Sequence, residues 1–155
     1  MARGLSPKQL YEKKFKTFEF DGIWADILGE PERGGYWLIY GLEKNGKSTL
    51  ALSLAKYLST LEKVAYISAE EGTDKSVQQR CKRIGISKDH KFMSYPYDLF
   101  EEYLEQFKGR QFPKVVFIDK LTAYDGEIDK KLILQLTRDY PKITFIILAH
   151  EERKE

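Results

Sequence analysis

Gly41-Leu42-Glu43-Lys44-Asn45-Gly46-Lys47-Ser48 fits G-x-x-x-x-G-K-S/T, the pattern of a loop that cradles nucleotide phosphates. Each fixed position has a physical reason. Gly41 and Gly46 admit backbone conformations that a Cβ closes, so successive N–H groups can turn inward as an anion-binding nest. A helix leaving the loop adds its unpaired N–H groups and the positive end of its dipole. Lys47 supplies a point charge for the β- and γ-phosphates, and the Ser48 hydroxyl is placed to ligate Mg²⁺. The binding stretch is taken as Gly41 through Thr49. The competing explanation is an ordinary glycine-containing turn before a helix.

Other polar residues follow apolar runs. Asp119 ends Val115-Val116-Phe117-Ile118 and reads as a Mg²⁺ anchor, or else as a turn aspartate. Glu70 and Glu71 follow Val64-Ala65-Tyr66-Ile67-Ser68-Ala69. Either carboxylate could orient or deprotonate a water in line with a γ-phosphate, and the alternative is a solvated acidic turn. His150 ends the run from Ile143 to Ala149, where a polar side chain can sense a γ-phosphate. Arg80, on a segment with Gln78, Lys82 and Arg83, could stack on a nucleotide base, or the four could form a solvated basic face.

These residues need a scaffold that brings them to one edge. The pattern predicts strands at 36–40, 63–68, 91–94, 114–118 and 143–149. Helices are predicted at 46–61, 74–84, 97–108 and 127–139. Phe100, Tyr103, Leu104 and Phe107 share one helical face, and Ile128, Leu132 and Leu136 recur at fourfold spacing. Strands alternating with helices imply right-handed crossovers and a mainly parallel sheet in an α/β fold, a three-layer α/β/α sandwich. Ligands then bind at the C-terminal ends of the strands. Residues 1–16 are polar and read as an arm with a short helix near 8–14. Phe18, Phe20, Ile23 and Trp24 begin the folded part, the core is taken as 17–155, and residues 29–35 form a turn-rich connector.

Composition narrows the classes. A chain of 155 residues suits one such core. A net charge of +2 gives no global basic field for nucleic acid. The single cysteine, Cys81, cannot form an intramolecular disulfide, which points to a reducing cytoplasm. No apolar run is long enough for a bilayer span, so no membrane partner is expected.

Together these features resemble the RecA-like ATPase core, in its RadA and DnaB-like branch. The glycine-rich lead-in Leu28–Gly41, the strand end Tyr66–Gly72, the segment Gln79–Ile86 and the run Leu148-Ala149-His150 carry the resemblance, which covers residues 17–153. It implies a P-loop NTPase fold that binds and hydrolyses ATP with Mg²⁺, assembles with copies of itself or a partner subunit, and acts on DNA in recombination, repair or replication. By the match, Lys47 and Ser48 take phosphate and Mg²⁺, and Asp119 holds the Mg²⁺ water shell. Glu70 activates water with Glu71 as the competing choice, His150 is the sensor, and Arg80 lies near the base. Lys120 departs from the small or uncharged residue that often follows the aspartate. DNA binding is an expectation of the family alone, because its DNA-contacting loops belong to later strands, and a truncated or minimal core is expected. The same family order places strand 143–149 beside the phosphate-loop strand and makes it an exposed edge. A small-molecule or nucleotide kinase and a nucleotide-dependent assembly module without turnover are the rival readings.

Overall fold

A computed structural model describes residues 3–41, 47–68, 74–96, 100–119 and 130–150. The chain divides into two compact units, Met1–Arg33 and Gly34–Glu155.

In the first unit, α1 (Pro7–Glu12) starts with a capping box. The Ser6 hydroxyl accepts from the Gln9 amide at 3.2 Å and the Gln9 side chain accepts from the Ser6 amide at 3.0 Å, satisfying two donors that a helix start leaves open. A second helix, α2 (Gly22–Leu28), follows. Thr17 and Glu32 form an antiparallel bridge, and the Arg33 guanidinium lies 4.4 Å from the Phe18 ring centre. Phe18 and Phe20 are buried, whereas Ile23, on α2, is 66% exposed.

In the second unit the elements alternate as β1 (Tyr36–Gly41), α3 (Lys47–Leu61), β2 (Val64–Ser68), α4 (Asp74–Ile84), β3 (Phe92–Tyr95), α5 (Phe100–Phe107), β4 (Val115–Asp119), α6 (Lys130–Asp139) and β5 (Thr144–His150). Among the described residues the strands form one sheet in the order β1-β5-β4-β2-β3, and every pairing is parallel. Parallel neighbours need crossovers, and the helices supply them.

The sheet order corrects one expectation. The strand that follows Ile143 does lie beside the phosphate-loop strand, but it is not an edge. β5 pairs with β1 on one side and β4 on the other. Its apolar run from Phe145 to Ala149 is buried, as both-face burial requires. The edge is β1, whose Leu38 is 52% exposed.

Strand alternation sorts the side chains onto two faces. Ala65, Ile67, Val116, Ile118, Phe145 and Ile147 join Tyr103 and Phe107 of α5 and Ile133 and Leu136 of α6 in one core. Phe107 is its hub, edge-on to Phe112, Tyr140 and Phe145 at 5.3, 5.9 and 5.4 Å between ring centres. On α6 the buried pair is Ile133 and Leu136, with Leu132 only partly buried, a shift from the stripe expected from fourfold spacing. The opposite face meets α3, which contacts all five strands and buries Ala51, Leu52, Leu54, Ala55 and Leu58. α4 packs on α3, which completes three layers.

The ends of these elements are fixed by local chemistry. Helix α4 stops at Gly85, φ +90°, in a left-handed conformation that suits glycine. The Ile86 amide donates to the Cys81 carbonyl at 3.0 Å and the Lys56 ammonium donates to the Ile84 carbonyl at 2.9 Å, so carbonyls left open by the helix end are used. β1 is tied at its start to β5. The Gly34 amide donates to the Thr144 hydroxyl at 2.7 Å, and the Phe145 amide donates to the Gly35 carbonyl at 3.0 Å.

Candidate functional site

The sheet register brings the singled-out strand ends to a common edge. Gly41, the first glycine of the phosphate-loop pattern, is the partner of His150. Ser68 is the partner of Asp119. Because Ile118 pairs with Ile147, β5 reaches beyond β4 and carries His150 past Asp119. Strand β1 ends at Gly41 and α3 begins at Lys47, so the motif joins a strand to a helix start on this same edge. That is where a parallel α/β sheet exposes helix N-termini and strand ends to a ligand.

Asp119 is 2% exposed. The Tyr66 hydroxyl, on the neighbouring strand, donates to its Oδ2 at 2.7 Å. Tyr66 pairs in register with Phe117 and stacks on it with ring centres 5.5 Å apart, while Phe92 lies 5.8 Å away on the other side. The ring is thus held between aromatic neighbours, and its oxygen reaches along the sheet to the carboxylate. Burial, above all, holds the Tyr66 phenol well above its ordinary range; the Asp119 charge and the hydrogen bond add to this, and Arg80 pulls the other way. The phenol therefore stays a donor and Asp119 an acceptor.

Arg80 owes its place to helical spacing. Ser76, Val77, Arg80, Cys81 and Ile84 form the half-buried face of α4, whereas Gln78, Lys82 and Arg83 are exposed. The basic residues are therefore not equivalent. Lys82 and Arg83 face solvent, and Arg80 lies close enough to Tyr66 for its charge to act there.

The remaining expected residues divide by what the structure describes. Gly41 and His150 are placed by backbone pairing, and Lys47 and Ser48 open α3. Thr49 is exposed in the first turn of that helix. Leu42, Glu43, Lys44, Asn45 and Gly46, together with Glu70, Glu71 and Lys120, lie outside the described residues. A buried carboxylate fixed at a strand end and a serine at a helix start are hard oxygen donors, the chemistry that suits Mg²⁺. Tyr66 was not singled out from sequence. Its signal was a polar-tipped ring inside an otherwise apolar strand, which has to find a partner when buried.

No protein-family model matches the chain. It is 38% identical over 97 residues to DNA repair protein RadA of Halalkalibacterium halodurans, covering 61% of this chain and 21% of that protein. It is 29% identical over 117 residues to DNA repair protein RadA of Aquifex aeolicus, covering 75% of this chain and 26% of that one. The matches thus span about a fifth to a quarter of the relatives' length. The fold is similar to the crystal structure of flagellar accessory protein FlaH from Methanocaldococcus jannaschii, with a TM-score of 0.64 and 20% identity over 88% of this chain and 71% of that one. The phosphate-loop pattern and the parallel sheet are those of a three-layer α/β P-loop fold, and over the matched residues the chain is similar to part of RadA.

Proposed function

We propose that the chain binds ATP with Mg²⁺ at the C-terminal edge of its sheet and hydrolyses it. The observation that carries this reading is the register that sets Gly41 against His150 and Ser68 against Asp119 at the edge where the phosphate-loop motif joins β1 to α3. Bound Mg²⁺ supplies charge neutralisation on the β- and γ-phosphates.

This chain's residues do the rest by positioning and electrostatics. The loop amides and the start of α3 hold the phosphates, and Lys47 offsets their charge. Ser48 would ligate the Mg²⁺ and Asp119 would hold its water shell. Glu70, with Glu71 as the competing choice, aligns a water and takes its proton. The water oxygen bonds to the γ-phosphorus, the bond to the bridging oxygen breaks, and ADP and inorganic phosphate leave. Arg80 serves the nucleotide base.

We further infer a role on DNA, supported by the name of the RadA relatives. Phosphate release from ATP, measured alone and with single- or double-stranded DNA, tests both levels. Stimulation by one DNA form supports the full reading. ATP binding that survives Lys47→Ala unchanged would sink the phosphate-loop assignment. A second reading, nucleotide-dependent assembly without turnover, draws on the edge strand β1 with Tyr36 38% and Leu38 52% exposed. ATP-dependent oligomers with no phosphate release would favour it.

A further inference from the structure

We propose that Tyr66 is a positioning residue for the metal side of the site. Its hydroxyl fixes the Asp119 carboxylate in the orientation that receives hydrated Mg²⁺ beside bound nucleotide. The inference rests on the reading of Asp119 given above and adds a residue to it.

Three observations carry it. The hydrogen bond from the Tyr66 hydroxyl to Oδ2 of Asp119 is 2.7 Å long and buried. It crosses between strands, from β2 to a residue two positions beyond Tyr66's own register partner on β4, so it is not a by-product of local turn geometry. The ring has little freedom, because Tyr66 is 1% exposed and lies between Phe117 and Phe92. A carboxylate at the end of a strand can rotate about its terminal bond. A donor on a rigid ring occupies one oxygen and sets the plane of the other. Groups that orient ligands in this way contribute strongly to metal affinity without touching the metal.

The test is a titration of Mg²⁺ against the full chain with a fluorescent ATP analogue, reading the Mg²⁺ concentration at which nucleotide binding tightens half-maximally. Tyr66→Phe keeps the ring and removes only the hydroxyl. It is expected to raise that midpoint about tenfold and to leave nucleotide affinity in EDTA unchanged. Phe92→Leu, which loosens the same stack but spares the hydroxyl, is expected to raise the midpoint by less than Tyr66→Phe does. A purely structural Tyr66 would lower the thermal midpoint in both variants and move the Mg²⁺ midpoint in neither, which overturns the proposal.

Asp119→Asn separates the two levels of inference. If it shifts the midpoint and Tyr66→Phe does not, the positioning role is wrong and the Asp119 reading stands. If neither shifts it, the Asp119 reading falls and this proposal with it. Should Tyr66→Phe fail to fold, 3-fluorotyrosine at position 66 retains the shape and gives a stronger donor. A Mg²⁺ midpoint unchanged by it overturns the proposal.

Discussion

Gly41 and His150 are register partners at the ends of adjacent parallel strands, one opening the phosphate-loop motif and the other ending β5. Strand pairing holds neighbouring backbones about 4.8 Å apart. A polar residue at 150 is thereby brought to the edge that carries the phosphate-loop motif by the sheet itself and needs no loop to carry it. We expect His150→Ala to bind ATP within about threefold of the parent and to lose turnover by about tenfold or more, the scale of removing one polar group that acts on developing charge. Parallel measurements of nucleotide affinity and phosphate release check this. Turnover at the parent rate would remove His150 from the mechanism.

Gly34 anchors the start of β1, and its backbone leaves no room for a side chain. Its φ is +85°, and a Cβ there would stand 2.5 Å from the Pro141 carbonyl oxygen. Its amide also spends its hydrogen on the buried Thr144 hydroxyl. Gly34→Ala combines a left-handed backbone with a clash against main chain, so we expect a loss of about 2–4 kcal/mol. Urea unfolding reads this directly. A midpoint unchanged from the parent would mean that β1 can start from another conformation.

Much of this architecture was legible in the sequence because parallel strands buried on both faces announce themselves. Val115 to Ile118 and Phe145 to Ala149 are nearly unbroken apolar runs, and each predicted strand overlaps an observed one to within about a residue or two. Pairing partners leave a weaker trace. Nothing in Ile143 to Ala149 distinguishes a strand with one neighbour from a strand with two, which is why β5 was expected at the edge that β1 occupies. The site divides in the same way. Asp119 stood out because an acid ending an apolar strand is chemically conspicuous. Tyr66 did not, since its role depends on which strand lies beside it. Arg80 and its basic neighbours looked alike until the helix phase of α4 turned Arg80 inward.

Cys81 shares that inward face of α4, and burial raises its thiol above the ordinary value of 9.0. The reactive form of a cysteine is the thiolate. Iodoacetamide at pH 8 should therefore modify native Cys81 more slowly than the same residue in urea, and the two rates should converge only at higher pH. The shift also fixes a stability slope. Below the unfolded value both states hold the proton and the thiol contributes no pH dependence. Above it the unfolded chain releases the proton first, so stability falls with rising pH until the folded thiol ionises too. Cys81→Ser should remove that part of the slope. Equal alkylation rates in the two states would contradict the burial effect.

Ser68 ends β2 level with Asp119, and Glu70 follows two residues later. Glu71 has one residue more and remains a chemical rival. Their roles separate by kinetics. A residue that only activates water leaves substrate affinity alone and lowers turnover, because its contribution arises in the transition state. Glu70→Gln is therefore expected to bind ATP as the parent does and to release phosphate at least about a hundredfold more slowly, while Glu71→Gln keeps most of its rate. The reverse pattern would move the assignment by one residue. Wild-type rates in both variants would remove water activation from this acidic pair and leave the phosphate loop with binding alone.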